Sequence, residues 1–272
     1  MASATLPQLE TVNLRRGASN GGELRIELNR PERMNAWDKQ LGLDLLAAVE
    51  LAAEDPSVRA VTVTGAGRAF SSGADLRAGF DPGPDGRPDV GTALRERYHP
   101  IITGIRRMPK PVVAAVNGPA VGIGCSLALA CDLVLARESA YLLLAFVNIG
   151  LVPDGGSSVF VPARAGAGRA ATMALLGERI PAPQASAWGL VDRLVSDDSF
   201  ADEVDALAEQ LATGPTRSYA AAKEQLNARV YAGLDEQLEL EASLQERMVS
   251  SADFVEGVSA FLEKRGARFS GD

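Results

Sequence analysis

Residues 64–76 (TGAGRAFSSGADL) and 117–130 (NGPAVGIGCSLALA) are small-residue turns that each follow an apolar strand. Small residues let a backbone approach a ligand closely, and the start of a helix leaves N–H donors unpaired. Two such donors, one near Ala74 and one near Ile123, converging on one oxygen would form an oxyanion hole for the charge that develops on an acyl carbonyl. Asp75 could cap a short helix beginning in the first turn. Residues 146–158 (FVNIGLVPDGGSS) set one acid, Asp154, between Pro153 and Gly155. Each feature also has a purely structural reading: a tight turn for the glycines, a cap or hydrogen-bond acceptor for Asp75 and Asp132, and a carboxylate bonded to local N–H groups for Asp154. Cys125 lacks a nearby base, because the single histidine, His99, falls elsewhere, in a segment that reads as pocket or surface.

The elements that must carry these turns alternate between strand and helix in the first half. Residues 23–29 read as a strand with Leu24, Ile26 and Leu28 on one face, and 41–53 as a helix through Leu41, Leu45, Leu46 and Val49. Residues 58–64 are an apolar strand, 80–91 a loop by composition, 92–108 helical, 112–116 a buried strand, 121–130 a small-residue helix and 133–136 another strand. From Ala165 the pattern is mostly helical, with a short strand at 191–195 and helices at 200–212, 216–230, 234–248 and 252–265. Pro215 sits just inside a helix start. The predicted layout is an α/β core with a helical tail that packs on its own core or on a neighbouring subunit.

Bulk composition narrows the function. The chain has 272 residues, is 46% hydrophobic and 23% charged, and has a net charge of −8 with no basic run, which argues against nucleic-acid binding. No stretch of about 18 apolar residues is present to span a membrane, and no signal peptide is recognisable, so a cytoplasmic enzyme is expected. Cys125 and Cys131 have no metal-ligand spacing and read as reduced, buried thiols. Gly118–Gly124 (GPAVGIG) with Tyr219 and Lys223 imitates a short-chain dehydrogenase. In that family, however, the glycine turn follows the first strand, and the serine upstream of the tyrosine is missing here. A phosphate-cradling loop fails because Gly65-Ala-Gly67 is not followed by G-K-[ST].

Taken together, the segments resemble the enoyl-CoA hydratase/isomerase (crotonase) superfamily over nearly the whole chain. Residues 28–36 (LNRPERMNA) are similar to its N-x-P-x-x-x-N-A segment, and 65–76 to G-x-G-x-x-F-x-x-G-x-D-L. Residues 110–125 (KPVVAAVNGPAVGIGC) are similar to K-P-x-I-A-A-V-x-G-x-A-x-G-G-G, and 251–265 (SADFVEGVSAFLEKR) to S-x-D-x-x-E-G-x-x-A-F-x-E-K-R. The resemblance implies an α/β fold, a crotonase-like spiral of ββα units over residues 1–200, and a C-terminal helical trimerisation region over 201–272. It also implies homotrimers or dimers of trimers, and coenzyme A as part of an acyl-CoA substrate with no permanently bound cofactor and no metal. The oxyanion donors carry over to the N–H groups of Ala74 and Ile123. The substrate and CoA contacts carry over to Arg33, Met34, Asn35, Ala36, Ser72, Gly73, Asp75, Leu76, Gly122, Phe146, Pro153, Phe261 and Lys264. Arg30, Arg33, Arg68, Arg77 and Lys264 are candidate contacts for the CoA phosphates, and 80–91 and 98–105 for closing over the acyl chain.

The sequence departs from the hydratases where their chemistry resides. One hydratase glutamate follows G-G-G-C, where Ser126 stands, and the other lies seven residues before Pro153, where Phe146 stands. Neither side chain is a general base at neutral pH. Asp154 occupies the place where some isomerases of the family carry their single acid/base. That favours a Δ3-Δ2 double-bond shift, with Phe146 excluding water. A hydratase, lyase or hydrolase with another base, and an inactive CoA-binding member, are the alternatives.

Overall fold

The computed structural model describes residues 6–17, 22–83, 86 and 88–272. The first half builds β1 (Val12–Arg16), β2 (Glu23–Leu28), α1 (Lys39–Glu54), β3 (Ala60–Gly65), α2 (Val90–Ala93), a π-turn (Leu94–Tyr98) and α3 (His99–Arg107). It continues with β4 (Val112–Val116), β5 (Ala120–Val121), α4 (Ile123–Ala130), β6 (Leu133–Arg137) and β7 (Tyr141–Leu143). The remainder is α5 (Ser157–Ala165), α6 (Ala167–Leu176), β8 (Ile180–Pro181), α7 (Ala182–Trp188), β9 (Arg193–Val195), α8 (Phe200–Thr213), α9 (Thr216–Val230), α10 (Leu234–Met248) and α11 (Ala252–Glu263).

A six-stranded sheet runs β1-β2-β3-β4-β6-β9, and a three-stranded one runs β5-β7-β8. In the large sheet only the β1–β2 pair is antiparallel. Strands β4 and β6 are each followed by a strand of the small sheet and then a helix, which is the expected ββα spiral. Strand β4 is buried along its whole length, as a parallel strand covered on both faces must be.

Several boundaries differ from the sequence expectation. Strand β1 was not foreseen, because VNLRR alternates too weakly to declare a strand; its pairing with β2 supplies the order. The small-residue helix starts two residues later than the pattern suggests, because Ala120 and Val121 pair with β7. The 92–108 helix is interrupted by the π-turn, in which the His99 N–H reaches Leu94 O. Pro215 lies one residue before α9 rather than inside it, and the last helix ends at Glu263. No helix starts at Asp75; its Oδ1 accepts from the N–H groups of Arg77 and Ala78 in a turn.

The helical tail packs on its own core. Val204, Leu207 and Leu211 of α8 join Ala60, Val113, Ala115 and Leu135 on the outer face of the sheet. Burying such side chains contributes about 1.5–3 kcal/mol each, enough to dock the helix without a partner. Helix α11 lies against residues 146–150: a Cβ on Gly257 would stand 2.6 Å from the Ile149 backbone.

Between β2 and α1 the chain folds tightly through Pro31–Arg33, with Met34 and Asn35 both left-handed (φ 52° and 55°). Asparagine tolerates that region better than most residues. The fully buried Asn35 side chain accepts from Arg30 N at 2.9 Å and donates to Ala66 O at 2.9 Å and Ala69 O at 2.8 Å. It therefore ties this segment to the turn after β3. Replacing it (Asn35→Ala) removes the donor to the part-buried Ala66 carbonyl and leaves Ala69 O only the long 3.4 Å bond from Asn117 Nδ2, and is expected to cost about 1–3 kcal/mol, measurable by urea unfolding.

Candidate active site

The turn after β3 is pinned on both sides of Ala74. Trp37 N donates to Gly73 O at 2.8 Å, and Asp75 N donates to Trp37 O at 2.9 Å. Pairing the two flanking peptides with Trp37 leaves the Ala74 N–H with no protein acceptor among the described residues. Asp75 Oδ2 and Asp38 Oδ2 hold the Arg30 guanidinium at 3.2 and 3.0 Å, which locks the turn to the segment before α1.

The second turn enters α4 through Gly122, whose φ of 54° and ψ of −127° lie in a region that side chains avoid. Gly122 N donates to Leu143 O, and Gly122 O accepts from the N–H groups of Cys125 and Ser126. Ile123, the first helical residue, keeps its N–H unpaired among the described residues, at the positive end of the helix. The two turns touch directly. Ser71 pairs with Ala120, and Gly73 approaches so closely that a Cβ on it would stand 3.0 Å from Val121 O. A Cβ on Gly122 would stand 3.7 Å from Gly73 Cα and 3.8 Å from the Phe146 ring.

The third turn carries Asp154, 5% exposed. Its main-chain carbonyl accepts from Ser126 Oγ at 2.7 Å and Ser157 Oγ at 2.8 Å. Ser126, at a hydratase glutamate's place, thus fastens this turn to α4. Asp154 Oδ2 accepts from Gln245 Nε2 at 2.8 Å, while buried Oδ1 has no partner among the described residues. Burial, and then the nearby Glu241 carboxylate, push the Asp154 pKa up to about 8, against the opposing pull of the Gln245 hydrogen bond. Glu241 is itself pushed up to about 7 by burial, opposed by the donors Ser158 and Gly156 N. The cysteines are free and buried, with thiols pushed up to about 12, which makes them packing groups rather than nucleophiles. Asp132 is structural: it accepts from Val112 N and pairs with Arg106 and Lys223. His99 is half-buried beside a surface hollow.

These turns share one cavity of about 450 Å³. Of the residues singled out from sequence, Met34, Ser72, Gly73, Ala74, Leu76, Gly122, Ile123, Phe146, Asp154 and Phe261 line it. Arg33, Asn35, Ala36, Asp75, Pro153 and Lys264 do not. Arg33 is exposed on the rim segment, and Asn35, Ala36 and Asp75 brace the first turn. Pro153 precedes the acid, and Lys264 caps α11 in a left-handed conformation. Arg30, a candidate phosphate contact, is instead committed to Asp38 and Asp75. Phe80 and Val90 of the 80–91 segment, Leu94, and Tyr98 of the 98–105 segment line the cavity; Pro84, Asp85 and Arg87 lie outside the described residues. Sequence reasoning missed Gln245 and Arg265 on the wall, and Glu241 behind it. The readable signal was a pair of polar residues, Glu241 and Gln245, on the apolar stripe of α10.

The touching glycines generate a prediction. Gly122→Ala adds about 1–3 kcal/mol of backbone strain where Ile123 N–H is aimed. The kcat should fall about ten- to a hundredfold, with the far-ultraviolet circular dichroism unchanged.

Comparison with known proteins shows the family. The sequence profile of the family described as "Enoyl-CoA hydratase/isomerase" matches residues 19–272. The chain is 41% identical over 252 residues to a 1,2-epoxyphenylacetyl-CoA isomerase of Escherichia coli K12, covering 92% of this chain and 95% of that protein. It is 45% identical over 246 residues to a probable enoyl-CoA hydratase of Rhodobacter capsulatus, covering 90% and 93%. A crystal structure of an enoyl-CoA hydratase from Mycobacterium avium subsp. paratuberculosis K-10 superposes with a TM-score of 0.87 at 40% identity, covering 97% of this chain and all (100%) of that one. With the fold, the paired turns and these relatives in accord, the chain belongs to the enoyl-CoA hydratase/isomerase family.

Proposed function

We propose that the enzyme shifts a double bond in an acyl-CoA thioester, from the 3,4 to the 2,3 position, with Asp154 as its acid/base. The observation that carries this reading is that Asp154 is the one carboxylate among the described residues lining the cavity. Hydration needs a carboxylate to hold and activate water, and its usual places are taken by Ser126, tied to a carbonyl, and by Phe146, buried against the second turn. A double-bond shift needs only one carboxylate.

In this reaction Asp154 takes a proton from the carbon α to the thioester carbonyl. The electron pair moves onto the carbonyl oxygen, where the Ala74 and Ile123 N–H groups stabilise the enolate. The enolate then collapses as the γ carbon takes the proton back from Asp154, leaving a 2-enoyl thioester and a regenerated carboxylate. The apolar wall of Leu76, Phe80, Leu94 and Phe146 suits an acyl chain and keeps water from the intermediate. The CoA portion is assigned to the Arg33–Ala36 rim, Phe261 and Lys264; Arg265 lines the cavity too, but its guanidinium is paired with Glu256 and Glu263. A homotrimer or dimer of trimers is the expected assembly, to be checked by light scattering.

The E. coli relative's name is that of an isomerase and the R. capsulatus relative's that of a hydratase, so hydration is the second reading. Rapid hydration of crotonyl-CoA by the purified protein would favour it.

Two measurements test the role of Asp154. Asp154→Asn should lower 3-enoyl-CoA isomerisation about 10²–10⁴-fold, and undiminished turnover would overturn the proposal. The reaction begins with the ionised carboxylate, so kcat/KM should climb with pH and level off above about 8. Stability runs the other way. A carboxyl whose folded pKa is raised stabilises the fold while protonated, and that contribution drains away as pH rises from its unfolded value toward about 8. Asp154→Asn should therefore melt higher than wild type near pH 8, with the gap closing toward about pH 4.

A further inference from the structure

We infer that Gln245 is the positioning residue for Asp154: it captures Oδ2 and thereby makes Oδ1 the single oxygen that carries the proton. The inference rests on the reading of Asp154 as acid/base, and concerns how one of its two equivalent oxygens is selected.

The geometry leaves the Gln245 amide no freedom. The side chain is fully buried. Nε2 donates to Asp154 Oδ2 at 2.8 Å and to Val152 O at 2.9 Å, and Oε1 accepts from Val152 N at 3.4 Å. Exchanging the amide oxygen and nitrogen would set an acceptor against two acceptors, so only one orientation satisfies the site. The amide therefore grips both ends of the 152–154 turn. Because Oδ2 is occupied as an acceptor, the proton of the neutral carboxyl must sit on Oδ1. The carboxyl cannot turn over without breaking a buried hydrogen bond. The main chain at Asp154 is fixed as well, since Ser126 Oγ, Ser157 Oγ and Ser157 N all converge on its carbonyl.

One helical turn before Gln245, Glu241 performs the matching task for the segment after Asp154. It accepts from Gly156 N at 2.8 Å and Ser158 N at 3.2 Å, and from Ser158 Oγ. Helix α10 thus clamps the acid-bearing turn from both directions. The ionisable groups facing the acid are Glu241 from α10 and Tyr98 from the π-turn, whose own phenol is pushed up by burial and then by Asp154. Arg265, on the same cavity wall, is neutralised by its ion pairs with Glu256 and Glu263.

A proton moved between the α and γ carbons of one allylic unit must leave and return on one face. A fixed carrier oxygen delivers that; a rotating carboxyl would lose time in unproductive orientations. Positioning of this kind acts on the chemical step rather than on binding.

The test uses the full-length enzyme and 3-hexenoyl-CoA, with kcat and KM measured from about pH 5.5 to 9.5. Gln245→Met keeps the side chain's length but removes the donor. Its kcat should fall about ten- to a hundredfold with KM changed less than about threefold. The midpoint of its kcat/KM profile should move to higher pH, because the bond that favours the ionised acid is gone. Gln245→Glu offers a donor only while protonated and adds a like charge once ionised. Its midpoint should move higher still, and this variant keeps the test alive should Gln245→Met fail to fold. Asp154→Asn, run alongside, separates the two ideas: an active Asp154→Asn enzyme removes the acid/base reading itself. If Asp154→Asn is inactive while the Gln245 variants retain the wild-type midpoint, or lose KM rather than kcat, Gln245 does not position the acid.

Discussion

The site depends on the first turn of α4. Four positions within five residues there each meet a different part of the machinery. Gly122 abuts Gly73, Ile123 presents its N–H while its side chain meets Gly155, Gly124 abuts Ser71, and Ser126 bonds the Asp154 carbonyl. A Cβ on Gly124 would stand 2.6 Å from Ser71 Cβ, and one on Gly155 2.5 Å from Ile123 Cδ1. No larger residue fits at these contacts, which is why the turns are so poor in side chains. Gly124 and Gly155 make room for the side chains of Ser71, Ile123 and Ser126.

The acid faces an opposing requirement. A carboxyl that is to exchange protons with carbon must sit in a dry cavity, and drying it raises the cost of ionising it. Gln245 offsets part of that cost, whereas Glu241 adds to it. The balance leaves Asp154 far more basic than an exposed aspartate, as proton abstraction from carbon demands. The same burial weakens the fold at high pH, so stability and the proposed activity would be opposed at one residue.

Much of this was legible in the sequence. The two glycine turns, the strands at 23–29 and 112–116 and the tail helices follow from spacing and residue type, because glycine, proline and apolar periodicity report local backbone needs; the part proposed for Asp154 came from the family resemblance. What was not legible is long-range. Strand β1 is defined by its partner, and the π-turn by how Leu94 and Tyr98 pack inward. Gln245 lies 91 residues from the carboxylate it serves. Its polarity on an otherwise apolar helix face was the visible sign, but nothing local says what it meets. Charge was similarly misleading: Arg30 looked free for phosphate, yet two carboxylates close in space already hold it.

Fastening Ile123 and Asp154 to the same helical turn has a mechanical consequence. The atom that would hold the enolate oxygen and the one that would carry the proton are referenced to a common support. A displacement of α4 would reach both, through the Ile123 main chain and through the Ser126 bond to the Asp154 carbonyl, while Gln245 ties the carboxylate to α10 as well. Ala74 has a different support: it is held by Trp37 and joined to the entry of α4 through the Ser71–Ala120 bridge. The proposed oxyanion hole would then be assembled from two supports, and the proposed acid from two others that share α4 with it.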